Sequence, residues 1–179
     1  MQRLVVARLF AAMLLAAASV AVWASGIPPA YSPVVILPTG APAQAEFDLS
    51  AVLARAKREN KQLYVYLGAN DCPYCRKYEA FLDKNAAELV PQFDKLKYII
   101  VDLRSSLSMR STMVFIRVGA SSLPYAEFQR SIGDERARML VYPSVWLLDA
   151  QLKPLMQMPA GTGTFETVPE QLEILNLVQ

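Results

Sequence analysis

Two cysteines with two residues between them, Cys72-Pro73-Tyr74-Cys75, stand where an apolar run gives way to helical spacing. Gln62 to Leu67 (QLYVYL) is short, apolar and rich in Tyr and Val, which predicts a buried strand. Gly68-Ala69-Asn70-Asp71 predicts a turn. Cys72 then opens a predicted helix that runs to about Val90, with Tyr78, Phe81, Leu82 and Leu89 on its inward face and Pro91 as its stop. The spacing i, i+3 places both sulfurs on one face of the first turn, close enough to close a disulfide. Pro73 falls at the helix start, where its missing N–H costs nothing and its fixed φ is already helical.

That placement has a chemical meaning. The thiolate is the nucleophile, and a helix N-terminus lowers a thiol pKa through free N–H groups and the positive dipole end. Cys72, at the expected exposed end, would attack or be attacked, and Cys75, one turn in, would resolve the mixed disulfide. Arg76 and Lys77 favour a thiolate, while Asp71 opposes it. Two other readings stay open. A permanent bridge is one, although so short a loop restrains the unfolded chain little. Half a metal site is the other, although a chain with no His and no third Cys would need carboxylates or a second subunit to complete it.

The first residues point to export. Arg3 and Arg8 precede an uncharged apolar run, Leu9 to Val22, which ends at Val22-Trp23-Ala24. These are the parts of a secretory signal over residues 1–24, and the uncharged run is shorter than the ~20 residues a spanning helix needs. An uncleaved anchor over Leu4 to Ala24 is the alternative. Either way the rest of the chain would face an oxidising compartment, here expected to be periplasmic. Without Arg3 and Arg8 the 18 basic residues fall to 16, equal to the 16 acidic ones. No basic excess remains to attract nucleic acid. The 155 residues after position 24 suit one domain with a full core, so the cysteines are not needed as a staple.

Residues 25–46 form a Pro/Ala-rich leader in which Val34 to Leu37 could add an edge strand or lie across the surface. The domain proper is read as 47–179. A first helix follows Asp48 or Ser50 and ends at Asn60. Leu96 to Leu103, Met113 to Val118 and Ser144 to Leu148 predict strands, and Tyr125 to Leu140 has mixed helical character broken at Gly133. Leu152 to Met158 would return antiparallel at an edge, because of Pro154. Thr167 caps a last helix. Tyr64, Tyr66, Tyr98 and Trp146 are assigned to the core, and the methionines to adaptable packing or a partner surface around Met109, Met113, Met156 and Met158.

From about Phe47 to Leu177 these pieces resemble the thioredoxin superfamily: QLYVYL, the C-P-Y-C helix start, KYIIVDL and VYPSVWLLD. The Pro-Tyr dipeptide between the cysteines looks like glutaredoxins. The leader and the C-terminal half look more like periplasmic thioredoxin-like proteins, including the SoxW type. The resemblance implies an α/β thioredoxin-like fold, a central mixed sheet flanked by helices, with an insertion before the cis-proline strand. It implies that Pro143 is that cis proline, that Tyr142-Pro143 lies beside Cys72, and that the Tyr142 backbone, with Pro73 and Tyr74, meets substrate. On its own Pro143 also reads as a strand-entry proline.

Three departures stand out. Thioredoxins carry a buried acid six residues before the first cysteine, and here that position is Tyr66. About thirty residues around Arg104 to Gly133 exceed a minimal thioredoxin and could cover the site. Tyr142 is larger than the usual residue before the cis proline. The expected activity is thiol–disulfide oxidoreduction of exported proteins by a monomer, most readily as a reductant served by a membrane electron donor, with no cofactor and no metal. The rivals are a non-catalytic binding module and a client-specific thiol donor for cytochrome c maturation or sulfur oxidation.

Overall fold

A computed structural model describes residues 26–41, 43–104, 108, 113–134, 140–157 and 165–176. The signal reading of residues 1–24 lies outside the described residues, as do Met109 and Met158. Among the described residues no helix is long and apolar enough to cross a membrane.

Five strands form the main sheet: β1 (Val34–Ile36), β3 (Gln62–Leu67), β4 (Tyr98–Leu103), β7 (Ser144–Leu148) and β8 (Pro154–Gln157), in the order β1-β4-β3-β7-β8. β3 and β4 pair in parallel from Gln62↔Tyr98 to Leu67↔Leu103. β7 pairs antiparallel with β3, from Leu63↔Leu148 to Leu67↔Ser144. This mixed sheet with flanking helices is the expected thioredoxin-like α/β arrangement. β8 is an edge, where Pro154 forfeits no central ladder bond. Val34–Ile36 takes the other edge, parallel to β4.

Alternation along the strands sorts side chains to two faces. Leu63, Val65, Leu67, Ile99, Val101, Leu103, Trp146 and Leu148 join one core with helix α1 (Ser50–Glu59). Tyr64, Tyr66, Tyr98, Ile100, Val145 and Leu147 join the other, under α2 (Pro73–Lys84), α3 (Ala86–Lys95) and α5 (Val168–Asn176). The aromatic residues assigned to the core are all buried, whereas Met113 is exposed.

The helix expected to run unbroken to Val90 is two helices. Asn85 leaves helical geometry (φ −106°, ψ 15°), and its side-chain amide donates to the Phe81 carbonyl at 2.7 Å. Pro91 therefore lies inside α3 rather than ending it. Leu89 and Phe93 are buried on either side of it, and that packing offsets the one backbone bond proline forfeits. Asn60 does end α1, in the left-handed region at φ +49°.

Part of the expected insertion joins residues 44–48 in a second sheet. β5 (Met113–Val118) pairs in parallel with β2 (Gln44–Asp48) and antiparallel with β6 (Ser121–Pro124), and α4 (Tyr125–Ser131) follows. Glu46 binds both Arg117, at 2.6 Å, and the Ser122 hydroxyl.

The leader is held by a buried carboxylate. Asp102 Oδ2 accepts the Ile27 N–H at 2.9 Å and pairs with Arg104 at 2.5 Å. A Cβ on Gly26 would stand 2.5 Å from that same oxygen, so the close approach needs glycine. Tyr31 is buried and donates to the Leu82 carbonyl at 2.8 Å.

Two stability predictions follow from this packing. Trp146→Ala empties a fully buried site and should cost about 3–5 kcal/mol. It is read from urea unfolding at constant m, and a loss under about 1 kcal/mol would mean that the core refills the space. For Asp102, burial lifts the carboxyl above its ordinary 3.8, with Arg104 and the Ile27 N–H opposing. The folded state then holds this proton more tightly than the unfolded state. The resulting stability is full below the ordinary value and is lost as pH rises through the folded one. Relative to Asp102→Asn, the native chain should therefore lose stability as pH climbs above that value. A difference that grows in the native chain's favour would mean that Arg104 outweighs burial.

Candidate functional site

β3 ends at Leu67, and the chain turns through Ala69-Asn70-Asp71 into α2. Cys72 is the N-cap, in extended geometry (φ −90°, ψ 109°), and its Sγ accepts the Cys75 N–H at 3.0 Å. A sulfur thus takes the capping role that Ser or Asp usually fills. Cys72 and Cys75 form a disulfide with their Cα atoms 5.3 Å apart. Pro73 holds the first helical position.

Exposure divides this turn against expectation. Cys72, expected at the exposed end, is 0 % exposed, as is Cys75. Both belong to the core cluster that contains Ala69 and Trp146, and Tyr142 packs against that cluster. The outward residues are those between the cysteines, with Tyr74 50 % exposed. In the closed disulfide the sulfurs are covered and the Pro-Tyr dipeptide forms the surface.

The charges near the motif are already engaged. Arg76 Nη1 donates to the Asn70 carbonyl at 2.9 Å, and Lys77 pairs with Glu166. Asp71 Oδ2 accepts the Ser108 hydroxyl at 2.8 Å, a link from the insertion to the residue before Cys72.

Tyr142 and Pro143 arrive from the other side. The bond between them is cis, as the resemblance implies. Ser144 pairs with Leu67, so Tyr142-Pro143 and the turn into Cys72 leave the same end of two neighbouring strands. Burial foremost, then Tyr125 and Asp71, push the pKa of the Tyr142 phenol well above the ordinary value. Tyr125 itself bonds the Ser144 hydroxyl at 2.8 Å.

Six residues before Cys72, where the resembled thioredoxins carry a buried acid, the Tyr66 hydroxyl donates to Glu79 Oε1 at 2.6 Å. Burial, then Glu79, keeps this phenol protonated. Glu79 follows Cys75 by one helical turn, so α2 brings a carboxylate to the strand that lacks one. Helical spacing held that signal, but only with the strand–helix contact known. Ser108 carried no comparable signal.

Among the described residues no group of three or more His, Cys, Asp or Glu side chains could hold a metal ion. A cavity of about 480 Å³, lined by Ile116, Leu123, Phe128, Ile132, Leu152 and Lys153 among others, opens at the opposite end of β7 from Pro143.

The charge on the residue before Cys72 is testable. Asp71→Asn should lower the Cys72 thiol pKa by about half a unit in the reduced protein, as expected for one exposed charge a few ångströms away. The pH dependence of alkylation measures it, and an unchanged or raised value would mean that the carboxylate does not act on the thiol.

A scan of protein-family models finds no match to this chain, and a search of curated proteins finds no match either.

Proposed function

We propose that the protein is an exported thiol–disulfide oxidoreductase that exchanges disulfides with protein substrates through Cys72 and Cys75. The observation that carries this reading is the pair's position. Two cysteines at i, i+3 open a helix at the C-terminal end of a central strand, and Cys72 Sγ accepts a backbone N–H there. A thiolate at that position meets the helix's free N–H groups and dipole, which is what an exchange nucleophile requires.

Cys72 is the attacking sulfur and Cys75 the resolving one. A substrate thiolate and the Cys72–Cys75 disulfide form a mixed disulfide at Cys72, which releases Cys75 as a thiolate. Cys75 then attacks Cys72, or the reverse sequence reduces a substrate disulfide. Because both sulfurs are covered in the closed form, the substrate must displace covering side chains. Pro73 and Tyr74 form the exposed surface that meets it, and the Tyr142-Pro143 backbone, where Pro143 is buried, pairs with substrate once that cover is displaced. The protein works as a monomer in the periplasm, most readily as a reductant recharged by a membrane electron donor.

Equilibration in glutathione and dithiothreitol buffers tests this, with the state of the pair followed by thiol labelling. A potential near or above that of glutathione, with fast exchange, is expected. Cys72→Ser should abolish exchange, and Cys75→Ser should trap a mixed disulfide through Cys72. A pair that stays oxidised well below about −300 mV is a structural disulfide, and the chain is then a binding module.

A further inference from the structure

The Tyr142 hydroxyl is buried and has no hydrogen-bond partner among the described residues. Buried polar atoms left unpaired are few in folded proteins and ask for a reason. The other phenols near this part of the molecule are satisfied: Tyr66 by Glu79, Tyr125 by Ser144, Tyr64 and Tyr78 by each other. Tyr142 differs in its place. It packs against the core cluster that includes both cysteines, at the strand end where the chain enters Cys72.

A disulfide sulfur is a poor acceptor, whereas a thiolate is a charged one. Reduction by a dithiol breaks the S–S bond, delivers two electrons and two protons to the pair, and leaves the dithiol as its own disulfide. Cys72 then releases one proton to solvent and carries a negative charge. We propose that the Tyr142 side chain, whose hydroxyl has no partner in the disulfide form, donates its hydroxyl hydrogen to the Cys72 thiolate in the reduced form. This inference rests on the oxidoreductase reading and adds a side-chain role to a residue otherwise expected to act through its backbone.

The surrounding charges are consistent with donation. Burial, then Tyr125 and Asp71, keep the phenol protonated, so it retains a hydrogen to donate. Asp71 opposes the thiolate, and Arg76 and Lys77 are held by Asn70 and Glu166. The Cys75 N–H, which already reaches Cys72 Sγ, leaves room for further donors on a sulfur anion.

Tyr142→Phe keeps the ring and removes only the hydroxyl. Tyr125→Phe removes a neighbouring buried hydroxyl that has its own partner, and so reports the effect of general loosening. In the fully reduced proteins, the Cys72 titration is followed by ultraviolet thiolate absorbance and by alkylation rate. Tyr142→Phe should raise the thiol pKa by about one unit, a tenfold loss of thiolate at pH values below it, and make the pair less oxidising. Tyr125→Phe should titrate like the native chain. A Tyr142→Phe protein that titrates like the native one overturns the inference, and so does an equal shift in both variants. If the native pair itself neither exchanges nor reduces in dithiol buffers, the oxidoreductase reading fails and takes this inference with it. Normal exchange by the native pair with no Tyr142→Phe shift overturns the hydrogen bond alone.

Discussion

Strand β3 is paired along both edges and covered on both faces, and that confinement organises the rest. Its parallel neighbour β4 and antiparallel neighbour β7 satisfy its backbone groups, which have no access to water. Its alternate side chains feed two cores, Leu63, Val65 and Leu67 on one side and Tyr64 and Tyr66 on the other. A strand held this way ends at a defined place, so the turn after Leu67 delivers Cys72 to the start of α2 with little freedom. Because β7 begins opposite Leu67, the same pairing brings Tyr142-Pro143 to that end. The site is thus a consequence of register, and a one-residue slip would exchange the two cores.

Several of the polar groups that the fold buries tie α2 to its neighbours. Tyr66 with Glu79 and Tyr78 with Gln171 tie the helix to the strand beneath it and to α5, at 2.6 and 2.5 Å. On the β4 side, Asp102 gathers Arg104 and the backbone of the leader. These bonds fix orientation more than they add stability, since each replaces bonds to water. Their effect is to hold α2 in a fixed orientation on the sheet.

The sulfurs are covered and the Pro-Tyr dipeptide between the cysteines is exposed. In the proposed function Tyr74 and Pro73 would make the surface contact, with the reacting atoms beneath. The insertion contributes on two fronts: Ser108 binds Asp71 beside the motif, and β5, β6 and α4 build a separate sheet with β2. The leader, read as an extended stretch with no core of its own, supplies an edge strand and the buried side chains of Ile27 and Tyr31. Proline content did predict extended backbone there, but it carries no information about what that backbone would lie against.

By itself the sequence determined the elements whose periodicity is strong. QLYVYL became a strand with the expected bounds, and SVWLL another. The helix start at Cys72-Pro73, the left-handed stop at Asn60 and the edge position of Pro154 were also legible, because each rests on local steric or hydrogen-bonding rules. Pro91 was misread, and the break at Asn85 missed, for the converse reason. Whether a proline ends a helix or sits inside one depends on the packing of Leu89 and Phe93 around it, which is not local. The candidate site divides the same way. Cys72 and Cys75 were visible as a pair because their spacing is intrahelical. The burial of both sulfurs, the reach of Glu79 to Tyr66, the link from Ser108 to Asp71 and the unpaired hydroxyl of Tyr142 were decided only by tertiary structure. Each joins residues that the chain separates and that only strand register and helix docking bring within a few ångströms.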